Sequence, residues 1–345
     1  MTDLMKAVVI HEHGGIEKLS YEDQPVPQIQ ANEILLEVKA IALNHLDLWV
    51  RQGLPGIRLA MPHILGSDVS GVVAAAGELV TNVKVGDQVL LAPGWGCGHC
   101  ELCLAGQDNY CRDYKVLGEN TQGVYAEFVR ASAENALPIP AGLNFDQAAA
   151  IPLVYLTAWH MLVDQAKVQP GEDILILAAG SGVGSAAVQI AKLFGARVIA
   201  TASTQAKLEK AQELGADETI NYQEKDFLEE VKRITGKRGV DIVFEHVGKS
   251  TWDSSLKALT KGGRLVTCGA TTGYDAVTDL RYVFFKELKI FGNFMGRKEN
   301  LKHALKFFPH KLKPVIDTQF HLREAAKAHE KLMKREQFGK VLLKP

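Results

Sequence analysis

One segment constrains the fold of this 345-residue chain more than any other: an apolar run, a glycine-rich turn and then a helical pattern. Residues 174–179 are apolar at every position, as in a strand buried on both faces of a sheet. The turn occupies 180–184, and apolar residues then recur at helical spacing as far as Phe194. Residues 197–200 predict the next strand, so the segment forms one βαβ unit of a parallel sheet.

A glycine-rich turn in this position is typical of a dinucleotide site. Glycine lets the backbone approach a pyrophosphate, and the helix that follows offers free N–H groups. The turn could also belong to an α/β protein that binds no nucleotide, but its place between this strand and this helix favours the cofactor. Dinucleotide contacts are expected at the turn and where later strands end: Gly180, Ser181, Gly182, Val183, Gly184, Val247, Gly248, Gly269 and Ala270.

The end of the second strand predicts which dinucleotide binds. An NAD-selective site carries an acidic side chain about 20 residues beyond the glycines. Residues 201–207 contain no acid, whereas Ser203, Thr204 and Lys207 offer two hydroxyls and a positive charge that suit a 2′-phosphate. We therefore expect NADP(H) rather than NAD(H). Ser203 and Thr204 could also cap the next helix, and the two roles are compatible.

Four of the five cysteines are clustered in one loop with the spacing C-x2-C-x2-C-x7-C: Cys97, Cys100, Cys103 and Cys111. Four thiolates that converge on one point are the ligand set of a closed, structural zinc, and we predict one such zinc per chain. An iron–sulfur cluster uses similar spacing and remains an alternative. Disulfides are not expected in a reducing compartment. Cys268, in an apolar segment, is interpreted as a small core residue.

Charge and length exclude several other classes of protein. Lys plus Arg number 39 and Asp plus Glu 40, so the chain offers no field that would attract nucleic acid. It has no apolar run of about 18 residues that would span a membrane. The N-terminal residues lack the apolar core of a signal peptide, and we expect a cytoplasmic protein. The first 150 residues are β-rich, whereas strands and helices alternate from about residue 153, which predicts an α/β chain with two domains.

Local motifs resemble those of the medium-chain dehydrogenase/reductase superfamily over nearly the whole chain. They lie at 66–73, 85–89, 123–128 and 178–184. The resemblance implies a GroES-like, β-rich catalytic domain from residues 1–152 and 298–345, with a structural zinc lobe at 94–113. It implies a Rossmann domain with a doubly wound parallel sheet at 153–297. It also implies an active site in the cleft between the domains, and homodimers or homotetramers that pair through the edge strand near 288–294.

The zinc alcohol dehydrogenases of this superfamily hold a second, catalytic zinc, and this chain departs from their ligand pattern. Asn44 replaces the first Cys, and Ser67 and Asp68 replace the His and Glu of a Gly-His-Glu motif. Leu153 occupies the place of the third ligand. A leucine cannot ligate a metal, and Asn and Ser are poor zinc ligands, so the resemblance implies a site without catalytic zinc.

The pattern Ala-Leu-Asn-x-x-Asp around Asn44 resembles instead the quinone oxidoreductase, or zeta-crystallin-like, branch of the superfamily. In that branch the Lys and Tyr that match Lys207 and Tyr222 help to hold the 2′-phosphate. Thr157 matches a residue that touches the nicotinamide, Val183 one that packs behind it, and Lys340 one that can reach the cofactor. A solvated surface lysine is the alternative interpretation of Lys340.

These observations predict an NADPH-dependent transfer of hydride to a small electrophile, either a quinone or an α,β-unsaturated carbonyl, which needs no Lewis acid. Asn44 is the candidate polar group near the acceptor oxygen. Asp47 is expected to order the active-site turn by hydrogen bonding, or simply to begin a helix. His45 could donate a proton, although a histidine with a purely structural role is the alternative.

Two other functions remain open. A zinc-dependent alcohol dehydrogenase could use substitute ligands such as Asp68, His45 and either His63 or His160. A crystallin-like protein could bind NADPH without turnover. Metal content separates the first from our prediction, and the oxidation of NADPH by added electrophiles separates the second.

Overall fold

The computed structural model describes residues 3–54 and 56–345, and these form two units. The first unit joins Met1–Leu153 to Arg297–Pro345, and the second is Val154–Gly296. The strands are β1 (Leu4–Ile10), β2 (Ser20–Pro25), β3 (Glu33–Ala42), β4 (His63–Ile64), β5 (Asp68–Ala76), β6 (Gln88–Leu91), β7 (Gly94–Trp95), β8 (Lys115–Val116), β9 (Phe128–Ser132), β10 (Ala136–Pro138), β11 (Asp173–Ile176), β12 (Arg197–Ala202), β13 (Glu218–Asn221), β14 (Val240–Glu245), β15 (Leu259–Thr267), β16 (Lys289–Gly292), β17 (Ile316–His321) and β18 (Lys340–Lys344).

The helices are short, and a π-helical segment, His160–Gln165, continues one of them. The α-helices are α1 (His45–Gln52), α2 (Glu101–Leu104), α3 (Phe145–Ala149), α4 (Pro152–Trp159), α5 (Gly182–Leu193), α6 (Gln205–Glu213), α7 (Phe227–Ile234), α8 (Trp252–Ala258), α9 (Leu280–Phe285), α10 (Lys298–Leu305) and α11 (Ala325–Met333). None of the helices in the described residues is both long and apolar enough to cross a bilayer.

The first unit is built on a seven-stranded sheet in the order β10-β6-β5-β3-β18-β17, with β9 also paired to β3. The last strand of the chain therefore lies beside one of the first, with Leu343 opposite Ile41 in an antiparallel pair. On the other side of β3, Ala42 is opposite Asp68. This topology brings three distant chain segments together where β3 ends, and β3, β5 and β18 bury Ile41, Val69 and Leu343 in one core cluster.

The second unit contains a six-stranded parallel sheet in the order β13-β12-β11-β14-β15-β16. The strand order reverses between β11 and β14, which is the switch point where doubly wound sheets bind their ligands. Leu175, Ile199 and Val243 from three adjacent strands are fully buried, because helices cover both faces of such a sheet. The sheet is the doubly wound parallel sheet that the alternation of strands and helices predicts.

Several element boundaries differ from the sequence prediction. β11 ends at Ile176 rather than at 179, because Ala178 has a φ of 46°, and this left-handed conformation turns the chain out of the sheet. Residues 264–268 predict a strand, but β15 starts five residues earlier, at Leu259. Residues 322–335 predict a helix, but the segment begins with a 3-10 turn and α11 itself starts at Ala325.

Candidate active site and cysteine lobe

The cysteine lobe brings four sulfur atoms to one point. The Sγ atoms of Cys97, Cys100, Cys103 and Cys111 all lie within 4.8 Å of one another. Two of these separations are 4.0 Å and 3.8 Å, close to the ~3.8 Å edge of a tetrahedron with Zn–S bonds of about 2.3 Å. All four cysteines are free thiols. The donor set and its geometry therefore suit a structural zinc, as predicted.

Backbone hydrogen bonds in the lobe favour the thiolate form of Cys97, whereas burial raises the pKa of Cys103 to about 12. The N–H of Cys97 donates to Cys111 Sγ and that of Cys100 donates to Cys97 Sγ, each at 3.3 Å. Hydrogen bonds from the backbone at His99 and Cys100 lower the pKa of Cys97 to about 6. A thiolate is the form that binds metal, so the fold already meets part of the cost of deprotonating Cys97.

A buried cluster of Asn44, Asp68 and Lys340 lies where β3, β5 and β18 meet. The Lys340 ammonium donates to Asn44 Oδ1 at 2.5 Å and to Asp68 Oδ2 at 2.9 Å. Asn44 Nδ2 donates to the same Asp68 oxygen at 3.0 Å. Asn44, Asp68 and Lys340 are only 6%, 0% and 3% exposed. Lys340 is therefore not the solvated surface lysine of the alternative interpretation; whether it also reaches the cofactor stays a prediction.

The chemistry of its partners fixes the orientation of the Asn44 amide. An ammonium can only donate and a carboxylate can only accept, so the oxygen of the amide must face Lys340 and its nitrogen Asp68. The other Asp68 oxygen accepts the backbone N–H of Leu153 at 2.8 Å. Asp68 thus connects Asn44 and Leu153, the two residues that the resemblance matches to the first and third ligands of the zinc alcohol dehydrogenases.

This cluster does not fit a catalytic zinc. The Ser67 hydroxyl donates to the Leu117 carbonyl at 2.7 Å, so its oxygen is already part of a buried hydrogen bond. Both Asp68 oxygens are in use, and the positive charge beside them is that of Lys340. A metal ion there would have to displace an ammonium and would find an amide and a leucine in place of two strong ligands. The donor chemistry agrees with the predicted loss of the catalytic metal.

The substitute ligands of the alternative hypothesis have other partners. His63 is buried, and its Nε2 lies 3.2 Å from the Gly118 carbonyl. His160 contacts Asp164, with 2.9 Å between Nδ1 and Oδ2, inside the π-helical segment of the second unit. Within the described residues of the first unit, the four cysteines are the only group of His, Cys, Asp or Glu whose ligand atoms converge as a metal site requires.

A second series of buried polar side chains is hydrogen-bonded to the turn at Asn44–Asp47. Arg51 Nη1 lies 3.0 Å from His329 Nδ1, and His329 Nε2 lies 3.1 Å from the Tyr125 hydroxyl. The Tyr125 hydroxyl donates to Asp47 Oδ2 at 2.8 Å, and the Asn44 backbone N–H donates to the same atom at 3.0 Å. Because the guanidinium can only donate, His329 accepts at Nδ1 and donates from Nε2, and every bond points toward Asp47.

Burial sets the protonation of this turn. It raises the pKa of Asp47 to about 7, although the Asn44 N–H, the Tyr125 hydroxyl and the Lys340 charge all oppose that rise. Burial lowers the pKa of His329 to about 3 and, with the Arg335 charge, that of His45 to about 4. His45 is therefore a neutral imidazole at pH 7. Asp47 accepts the N–H of Asn44, the residue before α1, and also lies in the first turn of that helix, so both interpretations of Asp47 fit the structure.

In the second unit, the glycine-rich turn is shaped as a phosphate cradle. The Ser181 hydroxyl accepts the Gly184 N–H at 2.9 Å and so caps α5. A Cβ on Gly184 would lie 2.5 Å from the Ala178 carbonyl oxygen, so only glycine fits there. The side chain of Thr201 accepts the Ala178 N–H at 3.1 Å and anchors the turn to β12. A rigid turn that opens onto a helix N-terminus fits the pyrophosphate of a dinucleotide.

The other predicted cofactor residues lie around the carboxyl edge of this sheet. Two strands, β14 and β15, are followed directly by predicted cofactor residues: Val247, Gly248, Gly269 and Ala270. Gly248 (φ 92°) lies so close to Ala270 that a Cβ added to it would be 2.8 Å from Ala270 Cα. Thr204 caps α6, with its hydroxyl accepting the Lys207 N–H at 3.4 Å. The Ser203, Lys207 and Tyr222 side chains are accessible to solvent to different degrees. The Thr157 hydroxyl, buried in α4, has no partner among the described residues, which suits a contact with a bound ligand.

Sequence reasoning missed the partnership of Lys340 with Asp68 and the chain from Arg51 to Asp47. The sequence did contain a signal for the chain from Arg51 to Asp47. Arg51 lies four residues after Asp47 on the same face of α1, and His329 shares an apolar helical stripe with Ala325, Ala328 and Leu332. Two polar residues on buried faces must find each other or some other partner. No local pattern signalled the pairing of Lys340 with Asp68, because the two residues lie 272 positions apart.

Comparison with known proteins agrees with this geometry. The family model described as "Alcohol dehydrogenase GroES-like domain" matches residues 30–141, and that described as "Zinc-binding dehydrogenase" matches 182–309. The quinone oxidoreductase of Rattus norvegicus is 30% identical over 99% of this chain and 98% of its own length. The alcohol dehydrogenase of Geobacillus stearothermophilus is 32% identical over 99% of both chains. A crystal structure of an NAD-dependent alcohol dehydrogenase is 48% identical, covers 99% of this chain and 100% of its own, and has a TM-score of 0.96.

The protein is an NAD(P)-dependent oxidoreductase with a GroES-like domain and a Rossmann domain, and the predicted fold class is confirmed. It belongs to the medium-chain dehydrogenase/reductase superfamily, with both quinone oxidoreductases and alcohol dehydrogenases among its relatives.

Proposed function

We propose that this protein uses NADPH to reduce a quinone or an α,β-unsaturated carbonyl without a catalytic metal, while a zinc ion holds the cysteine lobe. One observation carries the proposal: Asn44 and Leu153, which match two of the positions that ligate the catalytic zinc in the alcohol dehydrogenases, are both hydrogen-bonded to Asp68, which is paired with Lys340. Such a cluster can orient and hydrogen-bond an acceptor, but it offers no Lewis acid.

The choice of acceptor follows from that limitation. A plain ketone needs strong polarisation before it accepts a hydride, whereas a quinone or an enone is already electrophilic. When bound, NADPH supplies the hydride, and the acceptor takes up that hydride and one proton to give a hydroquinone or a saturated carbonyl. The role of this chain is to orient the acceptor and to stabilise the negative charge that develops on its oxygen. Asn44 is the proposed donor to that oxygen.

The preference for NADP(H) is part of the proposal. Lys207 and Tyr222 match the residues that help to hold the 2′-phosphate in the quinone oxidoreductase branch, and no acidic side chain occupies residues 201–207 to bind a ribose hydroxyl. Fluorescence titration of the protein with each reduced cofactor tests this preference. NADPH should bind at least about tenfold more tightly, the equivalent of one charge-assisted hydrogen bond. Lys207→Ala should remove the difference, whereas Lys210→Ala on the same helix should keep it.

The decisive experiment measures the oxidation of NADPH with a panel of acceptors together with zinc content. A simple quinone such as 1,4-benzoquinone and a small enone should be reduced, and benzaldehyde should not be, by a protein that contains one zinc per chain. Turnover that survives mild chelation would support the proposal. Two zincs per chain, or reduction of benzaldehyde in preference to quinones, would overturn it.

Interconversion of alcohols and carbonyls with NAD(H) is the second candidate. The 48% identity with a structure named as an NAD-dependent alcohol dehydrogenase favours it. The same panel, run in the oxidative direction with NAD⁺ and primary alcohols, separates the two functions. Binding of NADPH without turnover of any acceptor would instead indicate a crystallin-like role.

We also propose that the protein is a cytoplasmic homo-oligomer, either a dimer or a tetramer. β16 is the edge strand of the six-stranded sheet; Ile290 within it is 39% exposed, and Phe285, four residues before it begins, is 68% exposed. Apolar surface of this kind beside an open strand edge fits pairing with a second copy. Light scattering during gel filtration should give twice or four times the mass of the chain, and Phe285→Glu should shift the measured mass toward that of the monomer.

The proposed cytoplasmic location is supported by the cysteine lobe, because its four free thiols suit a reducing compartment.

A further inference from the structure

Glu245, the last residue of β14, is a buried carboxylate next to predicted cofactor residues of the second unit. Its Oε1 atom accepts the backbone N–H groups of Val247 and Gly248, each at 3.1 Å, and the Thr251 hydroxyl at 2.6 Å. Its Oε2 atom also accepts the Gly248 N–H, at 3.1 Å. Burial raises the pKa of Glu245, and these donors, together with the Thr267 hydroxyl, oppose that rise. The carboxylate is therefore held mainly by neutral donors from the turn that follows its own strand.

The backbone carbonyls of this turn are also used within the unit. The Val247 carbonyl accepts the N–H and the hydroxyl of Thr272, each at 2.8 Å. The Gly248 carbonyl accepts the N–H groups of Thr251 and Trp252, each at 3.0 Å. Two hydrogen bonds fill the capacity of a carbonyl oxygen. A ligand at this turn therefore meets the Val247 side chain and the Cα atom of Gly248, which are both apolar.

Two turns at the carboxyl edge of the sheet thus differ in chemistry. The glycine-rich turn after β11 opens onto the N-terminus of α5, where helix N–H groups suit a pyrophosphate. In the turn after β14, the N–H groups point inward to Glu245, so the turn presents an apolar surface to a ligand. The strands β11 and β14 are neighbours at the switch point of the sheet, where a dinucleotide is expected.

We propose that Glu245 is a positioning residue for cofactor affinity: it draws the Val247 and Gly248 N–H groups inward and so fixes an apolar contact surface for the dinucleotide. The inference rests on the predicted cofactor contacts of these two residues and is independent of the acceptor. Without the carboxylate, two N–H groups would lose their acceptor, and the turn would rearrange to find another. Gly248 packs closely on Ala270, so a rearrangement would disturb that predicted contact as well.

The test is fluorescence titration of the full-length, zinc-loaded protein with NADPH and with NADH, with no acceptor present. Glu245→Gln keeps the size of the side chain but replaces one acceptor oxygen with an NH2 group. It should weaken the binding of both cofactors by about tenfold, the equivalent of one lost hydrogen bond to a charged group. Glu245→Asp, which keeps the charge on a shorter side chain, should recover part of the loss. Glu218→Gln, at the opposite end of the same sheet, is the matched control and should leave both affinities unchanged.

Hydrogen exchange of the protein without cofactor separates local positioning from a general loss of stability. In Glu245→Gln, peptides that cover 245–252 should exchange at least about tenfold faster than in wild type, because their N–H groups have lost an acceptor. Peptides that cover 180–193 should exchange at the wild-type rate. Thr251→Val removes one donor to Glu245 and no charge, so it keeps the test decisive if Glu245→Gln fails to fold. It should weaken both cofactors by about threefold.

Two results would overturn the inference: wild-type affinity for both cofactors in Glu245→Gln, or weaker binding accompanied by faster exchange at 180–193 as well. The second result would indicate general destabilisation.

The same titrations keep this inference distinct from the proposed preference for NADP(H). The strand before Lys207 is β12, on the other side of β11 from β14, so Glu245→Gln should weaken both cofactors by the same factor. A wild type that binds NADPH and NADH equally would count against the proposed preference alone. A Glu245→Gln variant with wild-type affinities would count against the role of Glu245 alone.

Discussion

The cysteine lobe and the Asn44–Asp68–Lys340 cluster are two groups of polar side chains in the first unit, and they satisfy their charges in opposite ways. The lobe brings four sulfur donors within 4.8 Å of one another with no cationic side chain among them. The cluster contains a carboxylate and its own ammonium, joined at 2.9 Å. The lobe is complete only with a cation from outside, whereas the cluster carries a cation in its sequence.

This difference shows what decides whether a metal site is retained. Four thiolates repel one another, so a metal that binds them contributes directly to the stability of the fold. A carboxylate paired with a lysine needs no metal, and the pair is buried only because hydrogen bonds satisfy the remaining oxygens. The cluster therefore has its compensating positive charge within the chain, whereas the lobe does not.

The largest expected effect comes from the lobe. Cys97→Ser or Cys111→Ser should reduce zinc from about one per chain to almost none, because three thiolates hold the ion far less tightly than four. The melting temperature should fall by at least about 5 °C, since each kcal/mol corresponds to ~2–4 °C in a domain of this size. Atomic emission and calorimetry measure the two quantities. Cys268→Ser, outside the lobe, should change neither; an equal loss of zinc there would refute the assignment of the ligands.

Lys340→Met should have the next largest effect, because it leaves the Asp68 carboxylate buried without its partner. The expected cost is about 3–5 kcal/mol in the free energy of unfolding, measured by urea denaturation. Adding Asp68→Leu should recover a large part of it. Lys344→Met, whose ammonium pairs with Asp146 at the partly exposed end of β18, should cost at most about 1 kcal/mol. A Lys340 variant as stable as its Lys344 counterpart would show that the cluster does not depend on its internal cation.

Asp47→Asn should change the dependence of stability on pH. The folded pKa of Asp47, about 7, lies above its ordinary value of 3.8, so the folded chain retains a proton that the unfolded chain releases. The contribution of Asp47 to stability is therefore greatest below about pH 4 and decreases as the pH rises through 7. The groups around it are Asn44, Tyr125, Lys340 and Asp68.

Melting temperatures of wild type and Asp47→Asn between pH 4.5 and 8 test this expectation. Over this range the free energy of unfolding of wild type should decrease by an amount of order a few kcal/mol. Asp47→Asn should not show this decrease. His329→Gln provides a contrast of opposite sign: the pKa of His329 is lowered to about 3, so His329 contributes stability that increases as pH rises from 3 to about 6.5. Parallel pH curves for wild type and Asp47→Asn would contradict the expected burial of the carboxylate.

The smallest expected effect is the response to added metal. Wild type titrated with zinc beyond one equivalent should show no second tight site, since the cluster already holds an ammonium. Lys344→Met should behave in the same way, and calorimetry measures both. If a second equivalent of zinc bound as tightly as the first, the cluster would be a metal site like the cysteine lobe, and the comparison between the two would be wrong.

The cysteine lobe could be predicted in full because its ligands lie within one short loop, and spacing alone determines which sulfurs can meet. The glycine-rich turn was predictable for the same reason. The exact end of β11 was not, because Ala178 adopts a left-handed φ that is unusual for alanine. Asn44, Asp68 and Lys340 were each noticed in the sequence, but separately. Their meeting depends on β18 pairing with β3 across almost the whole chain.

The sequence by itself therefore determined the alternation of strands and helices and the four clustered cysteines, since each is a property of residue type and local spacing. Only the tertiary structure decided that a lysine from the last strand would be buried against an aspartate from β5. The physical reason is that the burial of a charge is not a local property: its cost is offset only by partners that the sheet topology brings within hydrogen-bonding distance.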